Sequence, residues 1–432
     1  MRQFYYICSK KATKAHQKRL GRFLNTQFAL LVLVLCQFPG LTLSAQQLPS
    51  YIAEAEANNP EIEAFNLRYG IAQEKLAAAE ALPNTTIGAG YFVSEPETRT
   101  GAQRGRISVA QALPWFGTIG ARIGYARSVS ESELVEVSIA KRKLALAVTR
   151  SYYRLYANQA IRAVLLRNIE LLQTYERLAL TSIEVGTASA VEIFKLQIRQ
   201  NELQERQQLL LHEYAAEQVA FKNLIGAEGD RPLAINSTVS IPIQDKIYDR
   251  EKLLSNPELE LFEKRYETIE FSEKVNQKEA TPSFAIGLDY IPVSERAGMN
   301  FSDNGKDIIM PMVSFSVPIF NSGFKSVTRQ NALRQQEIEA LRAQRLNTLE
   351  TTLAQVLAKR DQARISYQLV DENLRKARNA EEILLKNYET GTVNFNDLLD
   401  IQELQLKFEI ERIETVENYF EATATLNYLT EN

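Results

Sequence analysis

The sequence predicts a mainly α protein with a small β part, in which a unit of helix, β-hairpin, long helix and helix occurs twice. Three observations carry this. Residues 58–226 and 254–429 share one order of signals. Two proline-free stretches of about 65 residues are far too long for a compact globule. Four short runs of alternating apolar residues lie beside prolines, which is the period of a strand with one apolar face.

The amino-terminal segment stands apart from the repeats. A basic stretch, Lys10 to Arg22, an apolar run, Phe28 to Leu35, and Leu43-Ser44-Ala45 before Gln46 read as a secretory signal peptide over residues 1–45. Gln37 and Pro39 interrupt the apolar run, which is short for a membrane span. Leu35 precedes Cys36 where bacterial lipidation wants a small residue, which argues against a lipid anchor there. Seven of the 50 lysines and arginines but none of the 53 acids lie in this segment, leaving 43 against 53 and a net charge of −10 beyond it. Both cysteines, Cys8 and Cys36, fall in it too, and only His212 remains of the histidines. Thiolate and histidine-based catalysis and zinc fingers are thereby excluded, and an acidic exported chain is a poor nucleic-acid binder.

The first repeat takes residues 46–229 and the second 252–432, with a linker at 230–251. Asn59-Pro60-Glu61 and Asn256-Pro257-Glu258 each open a helical stretch that ends near Pro83 or Pro282, within helical regions placed at about 50–82 and about 252–280. Hairpins follow at about 84–115 and about 283–320. Phe284, Ile286, Leu288 and Tyr290 alternate with small or polar residues, as do Val313, Phe315, Val317 and Ile319. The loops Ser94 to Gly105 and Ser294 to Lys306 are polar. Ile119 to Val185 and Phe324 to Thr390 then predict helices of about 100 Å each. Breaks follow at Glu184-Val185-Gly186-Thr187 and Glu389-Thr390-Gly391-Thr392, and a last helix closes each unit.

Such helices must lie side by side. Leu349, Val356, Ala363, Val370, Ala377 and Leu384 recur every seven residues, beside the parallel set Leu346, Leu353, Arg360, Tyr367, Leu374, Glu381 and Tyr388. Heptads with small and polar occupants predict coiled-coil-like packing with a broad, partly wet interface. In each repeat the two shorter helices sum to about the length of the long one, so stacked end to end they would flank it.

No run of 18 apolar residues occurs after Ala45, so a membrane would have to be entered as strands. About ten residues is the length of a tilted spanning strand, and Trp115, Phe116 and Phe320 at the strand ends fit the aromatic belt of an interface. Four strands leave two open edges, and the smallest membrane barrels have eight. Several chains would have to contribute; three copies supply twelve strands.

The duplicated plan, the Pro114-Trp115-Phe116-Gly117 strand exit and the segment from Tyr388 through Gly391 to Asp397 and Asp400 resemble the TolC-type outer-membrane efflux family. The resemblance covers nearly all of residues 46–432, and the strand exit is similar to the heavy-metal-cation branch. It implies a homotrimer in which an α-barrel in the periplasm continues into a 12-stranded β-barrel in the outer membrane. The partners implied are a periplasmic adaptor protein, an inner-membrane pump and outer-membrane lipid. The function implied is a passive exit duct for small solutes, metal cations or drugs, with no catalytic residue and no cofactor. Gly186, Thr187, Gly391 and Thr392 become tip turns that meet the adaptor, and Asp397, Asp400, Glu192 and Tyr388 become the lining of the entrance. Val393 and Lys195 depart from the family pattern, which argues against a salt-bridged lock. Two other readings stay open beside the duct for small solutes: a soluble periplasmic coiled-coil scaffold and a duct for protein secretion. A hydrolase using Asp397 and Asp400 lacks any accompanying nucleophile or metal cluster.

Overall fold

The computed structural model describes residues 47–431 apart from 185–188, 228, 230, 249, 391 and 394. Two units divide the chain, residues 1–50 and 51–432. Residues 47–50 of the first are helical, and the signal peptide lies outside the described residues.

The elements run α1 (Gln47–Asn58), α2 (Pro60–Ala79), β1 (Thr85–Tyr91), β2 (Glu97–Thr98), β3 (Gly101–Ala102), β4 (Gly105–Leu113), α3 (Thr118–Glu184) and α4 (Ala190–Ile225). The second repeat follows as α5 (Arg250–Leu254), α6 (Pro257–Glu279), β5 (Ser283–Ile291), β6 (Ile308–Ser316), α7 (Gly323–Glu389) and α8 (Phe395–Thr430). The protein is mainly helical with a small strand part. Helices α3 and α7 have 67 residues each, and α4 and α8 have 36 each. Among the described residues no helix is long and apolar enough to cross a membrane.

The helices of residues 51–432 pack as a row. Helix α3 has α2 and α4 along one flank and α6 and α8 along the other, while α7 packs on α6 and α8. Each flank is thus a spliced helix. At the splices the asparagine before each proline opens α2 or α6, as the Asn-Pro-Glu signals lead one to expect, so the stretches at about 50–82 and about 252–280 are each two helices. Asn59 Oδ1 accepts from Glu61 N at 2.9 Å, capping α2, and its Nδ2 donates to Leu224 O at the end of α4 at 2.9 Å. Asn256 does the same for α6, accepting from Glu258 N at 2.9 Å and donating to Leu429 O of α8 at 3.0 Å. One amide therefore satisfies an orphan donor of one helix and an orphan carbonyl of another. Gly226 caps α4 at φ 63°, against Asn58, where a Cβ would come within 2.7 Å of backbone oxygen.

The heptad seam on α7 is buried as its spacing requires: Leu349, Leu353, Val356, Ala363, Val370, Leu374 and Ala377 are all in the interior. Arg360, expected in a wet seam, instead donates to Lys246 O at 3.0 Å. That carbonyl belongs to the linker, which crosses α3, α8 and α7 as a belt. Tyr152 Oη accepts from Asn236 N at 3.1 Å, and Ile241 is buried in the helical core. Asp245 accepts from Arg364 Nε at 2.7 Å and Tyr419 Oη at 2.6 Å. The hydrogen bond from Arg364 holds the Asp245 carboxyl below its ordinary pKa, helped by Tyr419 and Arg360.

The four long strands form one antiparallel sheet in the order β1-β4-β5-β6, and the β4–β5 pair joins the two repeats. The apolar alternation places β6 too far along the chain; it runs from Ile308 and stops at Ser316, because Pro318 has no N–H to donate. Pro311 is accommodated because β6 is an edge strand. Beyond the sheet the two loops are knitted together. Ser294 N donates to Ala102 O at 2.8 Å, and Arg296 Nη2 reaches Glu97 Oε2 and Thr98 O at 2.7 Å each. Gly101, at φ 133°, passes so close that a Cβ would collide with Ser294 O.

The splice makes a graded prediction for unfolding followed by circular dichroism. Asn256→Ala loses both bonds and about 1–2 kcal/mol. Asn256→Asp keeps the cap acceptor but not the donor to Leu429, and falls between it and the parent; equal losses would assign the whole effect to the donor bond to Leu429.

Candidate functional site

The lower end of the bundle gathers the helix termini. Gly186, Thr187 and Gly391 lie outside the described residues, but the ends that flank them are in place. Ser189 Oγ accepts from Val191 N at 3.3 Å to start α4. Thr392 N and Oγ1 both donate to Asn387 O at 2.9 Å, closing the end of α7. Phe395, almost wholly buried, opens α8 against the ring of Tyr388 at 5.2 Å. The Tyr388 hydroxyl is buried with no hydrogen-bond partner, and so is Glu192 Oε2 on α4. Lys195 Nζ donates to Asn396 Oδ1 at 2.8 Å, tying α4 to α8.

Asp397 and Asp400 are both exposed on the first turns of α8, with no ion pair to either among the described residues. Asp400 shares a groove with Lys195, Arg199, Asn168 and Leu172, where α4 and α8 approach each other over α3. Arg199 bridges the groove, 3.2 Å from Glu403 and 2.9 Å from Glu202. At about 100° per residue, Asn168 and Leu172 share the side of α3 that carries Arg154 and lie opposite Tyr152 and Tyr156, which hold the belt. Asp400 therefore opens on the face of the bundle away from the belt.

Ten residues before each expected tip glycine is a feature that the sequence reading passed over. Glu176 accepts from Gln197 and Gln200 of α4 at 2.8 and 2.9 Å. Glu381 accepts from Gln402 and, at 2.6 Å, from Gln405 of α8, and also from Tyr175 Oη at 2.8 Å. The two clasps are related by one offset of 205 residues, so the signal for them was present: a glutamate and two glutamines repeated at fixed spacing. Burial, then the bond to Glu381, raises the Tyr175 pKa well above that of a free phenol.

At the other end, the sheet has two unlike faces. Opposed residues share a face, so Ile87, Val109, Leu288 and Pro311 line up on one, as do Ala89, Ile107, Tyr290 and Ile309. These apolar side chains are open to the surroundings: Ile87 is 73% exposed and Phe315 69%. The reverse face carries Gly88, Ser108, Ala110, Ala285, Gly287, Ser314 and the pair Arg106 and Asp289, with Met310 and Met312 on its β6 edge. Trp115 and Phe116 pack with Phe284, which meets Phe315 at 6.4 Å, in a chain of rings at the lower rim of the apolar face. Phe320, 98% exposed, stands outside that chain. Tyr91 and Tyr290 mark the upper rim, six residues or roughly 20 Å along β5 from Phe284.

Solved structures share this arrangement. CusC, described in connection with transmembrane channel formation, superposes with a TM-score of 0.73 at 15% identity, covering 90% of this chain and 92% of that one. The outer membrane protein VceC of Vibrio cholerae gives 0.69 at 16%, covering 89% and 96%. The MtrE outer membrane channel of Neisseria gonorrhoeae, in its open state, gives 0.66 at 16%, covering 88% and 89%. The chain has the fold of these outer-membrane channels. No protein-family profile matches the sequence, and neither does any curated protein.

On this outer-membrane-channel fold a second charged cluster brings Glu414, Glu417 and Glu421 of α8 near Arg154 of α3 and Glu217 of α4. Desolvation, then repulsion from Glu421, raises Glu417 to about 7, with Glu414 and Glu217 adding to it and Arg154 opposing. The ionised form is thus disfavoured in the folded state. That penalty is absent below about 4.5, grows as pH rises to about 7 and is constant above.

Stability measured from pH 4.5 to 7 should therefore fall less steeply in Glu417→Gln than in the parent; identical slopes would remove Glu417 as the titrating group. Glu381→Ala, which strands Tyr175, Gln402 and Gln405, should cost about 2–4 kcal/mol in urea unfolding. Glu176→Ala should cost less, because its partner Gln197 is exposed.

Proposed function

We propose that the chain is one of three identical subunits of a passive exit duct in the bacterial outer membrane, with its helical part in the periplasm. One observation carries the reading: a sheet with an exposed apolar face, a reverse face mostly of small and polar residues, and, among the described residues, unpaired edges at β1 and β6. An open edge and an uncovered apolar face are both unfavourable in water for an isolated chain. Closure with two further copies pairs the edges, turns the apolar face to lipid and the polar face to a lumen, and makes twelve strands. The fold shared with outer-membrane channels supports this.

In the closed assembly, the belt lies on the outside and the groove holding Asp400 faces the lumen. Asp397, Asp400, Glu192 and Tyr388 line the entrance, where threefold symmetry repeats each carboxylate around the axis. Lys195 and Arg199 beside Asp400 temper its field. The tip turns at Gly186, Thr187, Gly391 and Thr392 meet a periplasmic adaptor, which delivers small solutes, metal cations or drugs from an inner-membrane pump. Trp115, Phe116 and Phe320, joined by Phe284 and Phe315, sit at the periplasmic interface of the bilayer. No bond chemistry is assigned.

Purified protein in a planar bilayer, under a salt gradient, should give discrete cation-selective openings. Asp397→Ala with Asp400→Ala should move the reversal potential toward zero. Unchanged selectivity would withdraw the entrance assignment alone. A detergent-independent monomer without openings would replace the duct with a soluble scaffold.

A further inference from the structure

The reverse face of the sheet contains one group that small and polar lining does not explain. Asp289, on β5, is completely buried between Ser108 and Met310, which oppose it on the flanking strands, with small residues, Gly88 and Gly287, beyond them. What covers it is Arg106. The guanidinium of Arg106, diagonal to it on β4, lies 2.5 Å from Asp289 Oδ2 and reaches on to Met312 Sδ of β6 at 3.7 Å. Gly287, opposite both Ala110 and Met312, leaves the room for that long side chain to lie flat. The two charges are unequally presented: the Arg106 side chain is 44% exposed and that of Asp289 0%. Neither Asp289 oxygen has a hydrogen bond of good geometry, so the carboxylate is held chiefly by its charge partner.

Resting on the duct reading, we propose that Arg106 is the charge filter of the exit. One guanidinium per chain, anchored by the carboxylate beneath it, projects into the strand-lined part of the lumen and favours anionic solutes over cationic ones there. Asp289 is a positioning residue: it keeps the side chain flat against the wall and offsets part of its field. The solutes that leave most readily past this ring are then small anions or compounds carrying a phosphate, sulfonate or carboxylate. The exit thus opposes in sign the carboxylates of the entrance, so that net selectivity reflects two filters in series.

The test uses the exported chain, whose residues 46–432 contain no cysteine. In the planar bilayer, Asp289→Asn, which keeps the shape of the side chain, should shift the reversal potential toward anions. Arg106→Gln, which leaves the carboxylate uncovered, should shift it toward cations, and the double variant should lie between them. Arg106→Cys should react with a charged, membrane-impermeant methanethiosulfonate and change the current, whereas Val109→Cys, on the apolar face, should not. Openings that are indifferent to both charge variants, or an Arg106→Cys variant whose thiol does not react, overturn the filter and leave the duct intact. A parent protein that forms no openings at all overturns the duct and the filter with it.

Discussion

Everything in this chain answers to the length of two helices. A helix of 67 residues has a flank of about 100 Å to cover, and the shorter helices beside it reach only part of the way. The solution is to butt two helices together, and the difficulty is the joint, where free carbonyls of one end meet free N–H groups of the next. Asn59 and Asn256 resolve it with a side chain that is acceptor and donor at once. Proline at the following position needs no hydrogen bond there and presets the helical φ. The Asn-Pro-Glu repeat is thus a splice code, written twice because the row has two spliced columns.

Polar groups inside the row follow the same economy. Both glutamate clasps bind the ascending and descending helices of a hairpin by two glutamines spaced one turn apart. Tyr175 and Glu176 are neighbours on α3, about 100° apart around it, and bond different helices, so a single turn of α3 ties α4 and α7 together. The belt adds a third polar attachment through Asp245, Arg364 and Tyr419.

The period of the apolar residues made the long helices, the hairpins and the α7 seam legible in the sequence. Leu349 to Ala377 are buried in the order that their spacing dictates, and the long helices begin and end within a residue of the bounds expected for them. Asn59-Pro60-Glu61 and Asn256-Pro257-Glu258 were legible as helix starts, but their role as joints was not, because only the end of a distant helix supplies the carbonyl that each asparagine bonds. The end of β6 was misplaced because Val317 and Ile319 continue the alternation, whereas backbone pairing stops at the proline. At the tip, Tyr388, Asp397 and Asp400 were visible as a motif, but the company of Lys195 and Arg199 in the same groove depends on α4 meeting α8 over α3. Arg106 and Asp289 escaped notice for a similar reason: 183 residues separate them, and only the β4–β5 register brings them together.

The anchoring of the belt to α7 also has a mechanical meaning. From Arg364 to the end of α7 at Glu389 is 25 residues, an arm of about 38 Å with no further irregular chain across it among the described residues. A rigid arm of that length amplifies angle into displacement, so a tilt of about 5° at the Asp245 anchor carries the far end through roughly 3 Å. That is the width of a water molecule, and it requires no helix to bend and no side chain in the seam to leave its place. In the proposed duct, an aperture built from such arms would widen under a torque applied anywhere along them, with a fulcrum in one carboxylate gripped by an arginine and a tyrosine.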